Sequence, residues 1–517
     1  MGLRSKLRTE RDAVVLRSSC RADHNSAADD HVFPARNGHD AAVYAFGGST
    51  VFALLLVGTG VVLSPKPVSA LPSFARQTGQ PCATCHTAFP ELTPYGREFK
   101  LRGYTAGGTR CGNVAAEDAE TQIPIAGMWT SGFTHLQKAI QGARPGVDTT
   151  GEGDNDNLQV NQVSAFFGGQ IYCNFGAFIQ GTYDRPGAVV TIDNTDIRYA
   201  NTAKLGGIDF VYGVTGNNNP TVQDVWNTTP AFIFPQLSTE FAAAATPGAA
   251  TMLQGTFAGR VGGVGGYVWI NNMIYAEFTA YQSFDPGTLT SLGLDPGDGT
   301  PRIDGAAPYW RVALEKTWDK NSFMVGTFGM FANLEPTVGG GVPMGDLLAF
   351  PGITDPFTDV GVDTEYQYIG DVHAFTLKAS YIWERQKLNG EFGAMASSNL
   401  TDFLNRFDIS ANYVYNHTIS LTGGYFNTWG TTDVLLNSGF TTGSPNSSGW
   451  TFDLAYLPFS YGGPRIWPWL NARIGILYTH YDRFDGSVNN VDNPTFTPPF
   501  RSAADNDTTF VYTWVAF

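Results

Sequence analysis

Charge is scarce in this 517-residue chain: Asp, Glu, Lys and Arg make up 15% of it, against about 25% in ordinary soluble domains. Long apolar runs are scarcer. Beyond Ala70 no stretch approaches eighteen consecutive apolar residues, which excludes a transmembrane helix from everything after that point. Cysteine is limited to five residues, and basic side chains are outnumbered, 31 against 46 acidic ones. The net charge of −15 gives a surface that repels nucleic acid and attracts cations.

What is abundant is glycine, with 60 residues, and aromatic side chains, at 13%. That mixture suits strands joined by tight turns and flanked by aromatic girdles. From about residue 121 many segments alternate apolar with polar residues, the period of a strand with two unlike faces. In 403–415, Phe403, Phe407, Ile409, Ala411, Tyr413 and Tyr415 oppose Arg406, Asp408, Ser410 and Asn412. In 373–384, Phe375, Leu377, Ala379, Tyr381 and Trp383 oppose Thr376, Lys378, Ser380 and Glu384. In 309–318, Trp310, Val312, Leu314 and Trp318 oppose Arg311, Ala313, Glu315 and Thr317.

The pattern predicts sixteen strands, at 121–135, 157–169, 174–185, 194–203, 205–216, 255–270, 272–283, 307–318, 320–333, 362–371, 373–386, 402–415, 417–429, 449–459, 469–482 and 508–517. Short turns near Tyr172, Lys204, Asn271, Asp319, Val372, Asn416 and 460–468 alternate with long Gly-, Pro-, Asp- and Asn-rich loops. A soluble sandwich gives no reason for every second loop to be long. An even count with alternating loop lengths is the rule for bacterial outer-membrane barrels. The reading is an all-β, transmembrane antiparallel barrel over 121–517, with outer-membrane lipid around it and both chain ends on the periplasmic side. The aromatic run Phe510-Val511-Tyr512-Thr513-Trp514-Val515-Ala516-Phe517 resembles the closing strand of such barrels.

The front of the chain agrees with export. Thr50 to Leu63 forms an apolar core of signal-peptide length, and Val68-Ser69-Ala70 is a small-residue cleavage signal. Residues 1–70 therefore read as an N-terminal extension and signal peptide, with a single membrane anchor as the alternative. Residues 1–40 are polar and mixed in charge, and no role is assigned to them. Cleavage after Ala70 removes 8 basic and 6 acidic residues and leaves a net charge of −17.

Between leader and barrel lies Cys82-Ala83-Thr84-Cys85-His86. Cys-x-x-Cys-His is the attachment site of c-type haem: two thiols add across the vinyl groups and the imidazole becomes an axial iron ligand. A bare Cys-x-x-Cys also serves as a redox disulfide or half a zinc site. No second Cys pair completes a zinc site, and no βαβ pattern surrounds the motif. One covalent haem c held by Cys82, Cys85 and His86 is the expectation. With Cys20 in the leader, Cys111 and Cys173 remain as a disulfide or as two buried thiols.

Leu71-Pro72-Ser73-Phe74-Ala75-Arg76-Gln77-Thr78-Gly79-Gln80-Pro81 leads into the motif. Phe89-Pro90-Glu91-Leu92 and then Tyr95-Gly96-Arg97-Glu98-Phe99-Lys100-Leu101-Arg102-Gly103-Tyr104 follow it. With a Phe-terminated barrel behind them, these runs resemble the fused monohaem cytochrome–porins of the bacterial outer membrane, a family that includes proposed extracellular iron oxidases. The resemblance covers 71–104 closely and the barrel in architecture. It implies an outer-membrane electron conduit more firmly than it implies ferrous iron as donor.

Within the module, 71–120, Thr93-Pro94 reads as a helix start and Gly103 as its stop. Tyr95, Phe99 and Leu101 then offer an apolar face to haem. Arg97, Lys100 and Arg102 are candidate partners of the haem propionates or members of a solvated basic patch. Roughly fifty residues are too few for an independent core, so the module needs the barrel lumen as support. For the sixth iron ligand, Met128 and His135 on the first strand are the nearest candidates, Met128 being preferred. Met273, Met324, Met330, His373, His417 and His480 stand behind them.

A membrane band of about 25 Å places one further demand on a single haem. To connect an outside donor with a periplasmic c-type cytochrome or other soluble carrier, the module must plug the lumen. The enzymatic form of that reading is an Fe(II):cytochrome c oxidoreductase. Asp148, Glu152, Asp154 and Asp156 in the first long loop and Asp295, Asp298 and Asp304 in the third offer hard oxygen ligands for Fe²⁺, or simply hydrate the surface. Two other classes stay open. One is a porin whose haem gates or senses redox state, with Lys378, Glu384, Arg406 and Asp408 lining a water channel. The other is a periplasmic cytochrome tethered by a barrel.

Overall fold

A computed structural model of the chain describes residues 72–108, 123–139, 155–184, 189–221, 224–229, 246–297, 300–338, 342–343, 352–462, 469–489, 491 and 501–517. The leader with its Ala70 site, Cys111, Asp148, Glu152, Asp154 and Asp298 lie outside the described residues.

Sixteen antiparallel strands close into one barrel, each hydrogen-bonded to its neighbours in chain order. They are β1 Ile125–Leu136, β2 Asn157–Tyr172, β3 Phe175–Asp184, β4 Val189–Leu205, β5 Ile208–Asn217, β6 Val261–Ile270, β7 Ile274–Ser283, β8 Ala307–Trp318 and β9 Asn321–Leu334, followed by β12 Asp355–Ile369, β13 His373–Lys387, β14 Thr401–Tyr415, β15 Ile419–Gly430, β16 Ser447–Tyr456, β17 Asn471–Arg483 and β18 Thr508–Ala516. A two-stranded ribbon, β10 Thr337–Val338 with β11 Val342–Pro343, stands apart from the wall. The barrel closes where β1 pairs with β18, from Met128 opposite Ala516 to Leu136 opposite Thr508.

The turn chemistry explains the short connections. Asn271 and Asn272 both take positive φ, as do Asn416 with His417 and Gly206 with Gly207. Two adjacent left-handed residues match the twist of paired strands and make the tightest hairpins. Both β1 and β18 have their chain-terminal ends at this short-turn rim, since Met128 pairs with Ala516.

Side-chain sorting is inverted relative to a water-soluble protein. On β8, Val312 and Leu314 are 43% and 53% exposed, while Arg311 and Glu315 are 0% and 3% exposed. The same alternation leaves Leu377 outside and Thr376, Lys378 and Glu384 inside on β13. A closed wall that is apolar outside and charged inside is stable only with lipid around it. Among the described residues no helix is long and apolar enough to cross a membrane.

Three expected strand starts shift by five residues or more. β4 begins at Val189 rather than 194, and β12 begins at Asp355 rather than 362. β6 starts at Val261 rather than 255 because Met252–Thr256 forms a helical turn instead. That turn is directed into the barrel: the Met252 amide donates to Glu384 at 2.5 Å and the Leu253 amide to Asp359 at 2.9 Å. The connection over 217–254, expected as a long loop, thus sends Met252 and Leu253 into the lumen.

Val362 lies near the middle of β12, on the outer face and 51% exposed. Replacing it with Arg is expected to cost about 2–4 kcal/mol of folding free energy in a bilayer. Equilibrium folding into vesicles measures this, and a loss under about 0.5 kcal/mol, the value for an ordinary water-facing site, would contradict the lipid-facing assignment.

Candidate functional site

The segment 72–108 folds as three short helices inside the ring of strands. They are Pro72–Thr78, the single turn Cys82–Cys85 and Pro94–Leu101. Thr93 caps the last of these as its sequence suggests, its hydroxyl accepting from the Gly96 amide at 3.2 Å with Pro94 in the first turn. The helix ends at Leu101, and Gly103 turns the chain with φ of 69°. The haem-motif turn is closed by His86 N–H to Cys82 O at 2.8 Å and tied to the third helix by Thr93 N–H to Cys85 O at 2.9 Å. Gly96 packs so closely that a methyl group there would overlap the Cys85 carbonyl oxygen.

The two cysteines and His86 line a cavity of about 1490 Å³, part of it open to solvent. Its walls are largely apolar. Phe74, Phe89, Leu92 and Phe99 come from the module, and Met128, Phe166, Phe178 and Trp514 from the barrel. Phe89 meets Trp514 edge-on, with ring centroids 4.5 Å apart.

These residues fit a covalently attached haem. His86 Nδ1 is enclosed without a hydrogen-bond partner, and the backbone at Pro90 and Glu91 lies beside the ring. Burial lowers the imidazole to about 4, so it is neutral, the form that ligates iron. Cys82 and Cys85 are free of each other, and burial raises the Cys85 thiol to about 12. A reactive redox pair would have a lowered thiol instead. Asn471 Nδ2 donates to Cys82 Sγ at 3.0 Å, so the first cysteine faces the last short connection of the barrel.

Of the axial-ligand candidates, Met128 lines this cavity. His135 points to the opposite face of β1 and pairs with Asp156 at 2.6 Å. Met273 is exposed on a turn, and Met324 and Met330 pack in separate clusters along the wall. His373 bonds Tyr413, His417 approaches the Asp371 carbonyl, and His480 pairs with Asp507.

Arg97, a candidate propionate partner, lies apart from the cavity lining. It is fully buried and does not line the cavity. Its guanidinium pairs with Glu315 at 2.5 Å and Glu365 at 2.8 Å and also bonds Gln367, Ser322 and the Leu92 carbonyl. A solvated basic patch is equally excluded for it. Arg102 lies at the surface on Glu98, one helical turn away. Lys100 alone of the three lines the cavity, and burial lowers its ammonium to about 8.

Other contacts that hold the module were not evident from sequence. Lys378 pairs with Glu91 at 2.5 Å, Tyr267 donates to the Leu101 carbonyl at 2.7 Å, and Tyr104 donates to Asp196 at 2.5 Å. Arg473 bonds the Phe89 carbonyl while paired with Asp453. The inserted segment 224–229 shares two of these anchors. Glu315 Oε2 accepts from Trp226 Nε1 at 3.3 Å, and Lys378 donates to the Asn227 carbonyl at 3.1 Å. Asp224 and Asn227 form part of the cavity wall. The alternating polar face marked Glu315 and Lys378 as lumenal, but nothing in that pattern named their partners.

Cys173 is disulfide-bonded. Of the loop carboxylates described, Asp156 pairs with His135. Among the described residues no group of three or more His, Cys, Asp or Glu side chains is arranged to hold a metal ion.

No family model and no curated protein matches the chain. Several solved barrels are similar in structure at low identity. The anion-selective porin from Comamonas acidovorans is 8% identical with a TM-score of 0.40, the match covering 76% of this chain and 98% of that one. OmpF of Salmonella typhi, in complex with daunomycin, is 13% identical with a TM-score of 0.41, covering 76% and 97%. The trimer form of OmpT of Vibrio cholerae is 10% identical with a TM-score of 0.39, covering 76% and 98%.

Removing Arg97 would leave Glu315 and Glu365 buried without their counter-charge. Arg97→Leu is expected to destabilise docking of the module by about 3–5 kcal/mol. Limited proteolysis from the short-turn side reads this: the variant should release 72–108 under conditions where the parent resists. Equal resistance would show that the ion pairs do not hold the plug.

Proposed function

We propose that the protein is an outer-membrane electron conduit. It would pass single electrons from an extracellular one-electron donor, Fe²⁺ among the candidates, to a periplasmic c-type cytochrome or similar soluble carrier. The observation that carries this reading is the location of the Cys-x-x-Cys-His turn, which lines an apolar cavity inside the barrel rather than a surface beneath it. The resemblance of 71–104 to fused cytochrome–porins points the same way.

Cys82 and Cys85 would hold the haem through thioether bonds, and His86 and Met128 would be the residues available to bind its iron. When bound, the haem supplies one-electron redox chemistry at a single iron. The chain's own residues do the rest. His86 presents a neutral imidazole to the cavity. Phe89, Phe166, Phe178 and Trp514 keep the cavity apolar, which disfavours a charged iron and so raises the potential. The anchors at Arg97, Lys378 and Arg473 fix the module against the wall, so the cofactor stays at one depth. The short-turn rim, where both strand ends lie, would face the periplasm.

A diffusion porin with a sensing haem is the rival class. Two of the residues expected to line its channel are engaged: Lys378 by Glu91 and Asn227, and Glu384 by the Met252 amide. The purified protein should show a c-type spectrum with about one haem per chain and little conductance in a planar bilayer. Stopped-flow mixing of oxidised protein with Fe²⁺ should then convert the haem bands to the reduced form. Bands that stay oxidised for minutes exclude iron as donor, and a large open-pore conductance favours transport. His86→Ala should lose the normal c-type spectrum while the barrel still assembles, as read by heat-dependent gel mobility.

A further inference from the structure

We propose that Asp433 locks loop 431–446 as a strap on the long-loop rim, which holds the turn Met252–Thr256 in the lumen. The strap uses neither the module nor its cavity, so it stands apart from the haem reading.

The lock is one carboxylate between two loops. Loop 388–400 joins β13 to β14, and loop 431–446 joins β15 to β16. From the first loop, Ser397 Oγ and the Asn399 amide donate to Asp433 Oδ2 at 2.6 and 3.0 Å. The Ser398 amide reaches both oxygens, at 2.8 and 2.9 Å. From its own loop, the Leu435 and Leu436 amides donate to Oδ1 at 3.0 and 2.9 Å. The side chain they surround is buried, and hydrogen bonds to a charged acceptor are about twice as strong as neutral ones. No other residue of 431–446 is charged, and 388–400 contains only Glu391. Asp402, at the start of β14 and bonded by Asn399 Nδ2 at 2.9 Å, is the carboxyl group that faces the lock.

The locked loop reaches the inserted chain. The Asp433 amide donates to the Gly443 carbonyl at 2.9 Å and the Asn437 amide to the Asp433 carbonyl at 3.0 Å, closing the loop on itself. Between those bonds Phe440 lies on Gly248, where an added methyl group would come within 2.8 Å of the ring. The Gly248 amide donates to Asp485 at 3.0 Å. Met252 follows four residues later, its amide on Glu384 and that of Leu253 on Asp359. The strap thus covers the chain immediately before the turn that enters the lumen.

The lock also tolerates acid. Burial pushes the Asp433 carboxyl up, but the bonds from Ser397, Leu436, Ser398 and Asn399 outweigh it and bring it down to about 2. An unfolded carboxyl titrates near about 3.9. The contribution of Asp433 is therefore complete above that value and is lost only as pH falls through the folded one.

The test is hydrogen exchange by mass spectrometry on full-length protein in detergent, with rates corrected for the intrinsic effect of pH. Asp433→Asn turns one accepting oxygen into a donor that faces amides. It is expected to speed exchange about tenfold or more in both 431–446 and 246–256. The parent is expected to keep its protection in both segments from about pH 7 to about pH 3. Parental exchange in Asp433→Asn overturns the inference, as does faster exchange confined to 431–446, which would leave the turn independent of the strap. A parent that loses protection in 431–446 above about pH 3 overturns the acid tolerance. If Asp433→Asn does not assemble, Phe440→Gly decides: exchange in 246–256 must rise, and parental rates there overturn the inference.

Discussion

Lipid around a closed barrel reverses the usual sorting of side chains, and the rest of this molecule follows from that reversal. Strands that present Val312 and Leu314 outward must present Arg311 and Glu315 inward. The lumen therefore collects charge in a space from which most water is excluded. Charges in such a space need partners at close range. Some partners come from other wall residues, as Asp363 for Arg311 and Asp453 for Arg473, and others from two insertions: the segment 72–108 and the inward parts of the connection between β5 and β6.

This explains why a peptide too small to fold alone can be held rigidly. Arg97 meets two carboxylates from β8 and β12, and Glu91 meets Lys378 from β13. Such pairs add little net stability relative to an apolar filling, yet breaking one is costly because a bare charge is left behind. They act as register marks: a module shifted along the lumen would lose its counter-charges. Glu315 and Lys378 each hold both the module and the segment around Trp226, so the two insertions are fixed to one another as well as to the wall.

The strands were largely legible in advance, because a period of two with Asn- and Gly-bearing turns is a local signal. The misplaced starts of β6 and β12 lie beside the inserted connection, where the lumen and not the local pattern decides the backbone. The site was half legible. Cys82, Cys85, His86, the Thr93 cap and the Gly103 stop are all local. Met128 and His135 were weighed together, yet their odd spacing puts them on opposite faces of one strand, with His135 sharing the face of the exposed Trp129 and Phe133. Parity was the available signal. Arg97 and Lys100 are both basic on one short helix, and only carboxylates more than two hundred residues away assign Arg97 to the wall.

Depth in the barrel sets the remaining constraint. Met128 is the fourth residue of β1, so it lies about 10 Å along the strand from the short-turn rim, in a band about 25 Å tall. On the proposed reading a cofactor at that depth would lie close to a periplasmic partner and further from the long loops. The space above it is not empty, since the turn at Met252–Thr256 projects into the lumen toward Glu384 and Asp359. An outside donor would therefore exchange electrons across packed protein, not by touching the haem edge. On the proposed reading the two faces of the conduit would be unequal, longer toward the outside and shorter toward the periplasm, and the slower exchange would be the one with the outside donor.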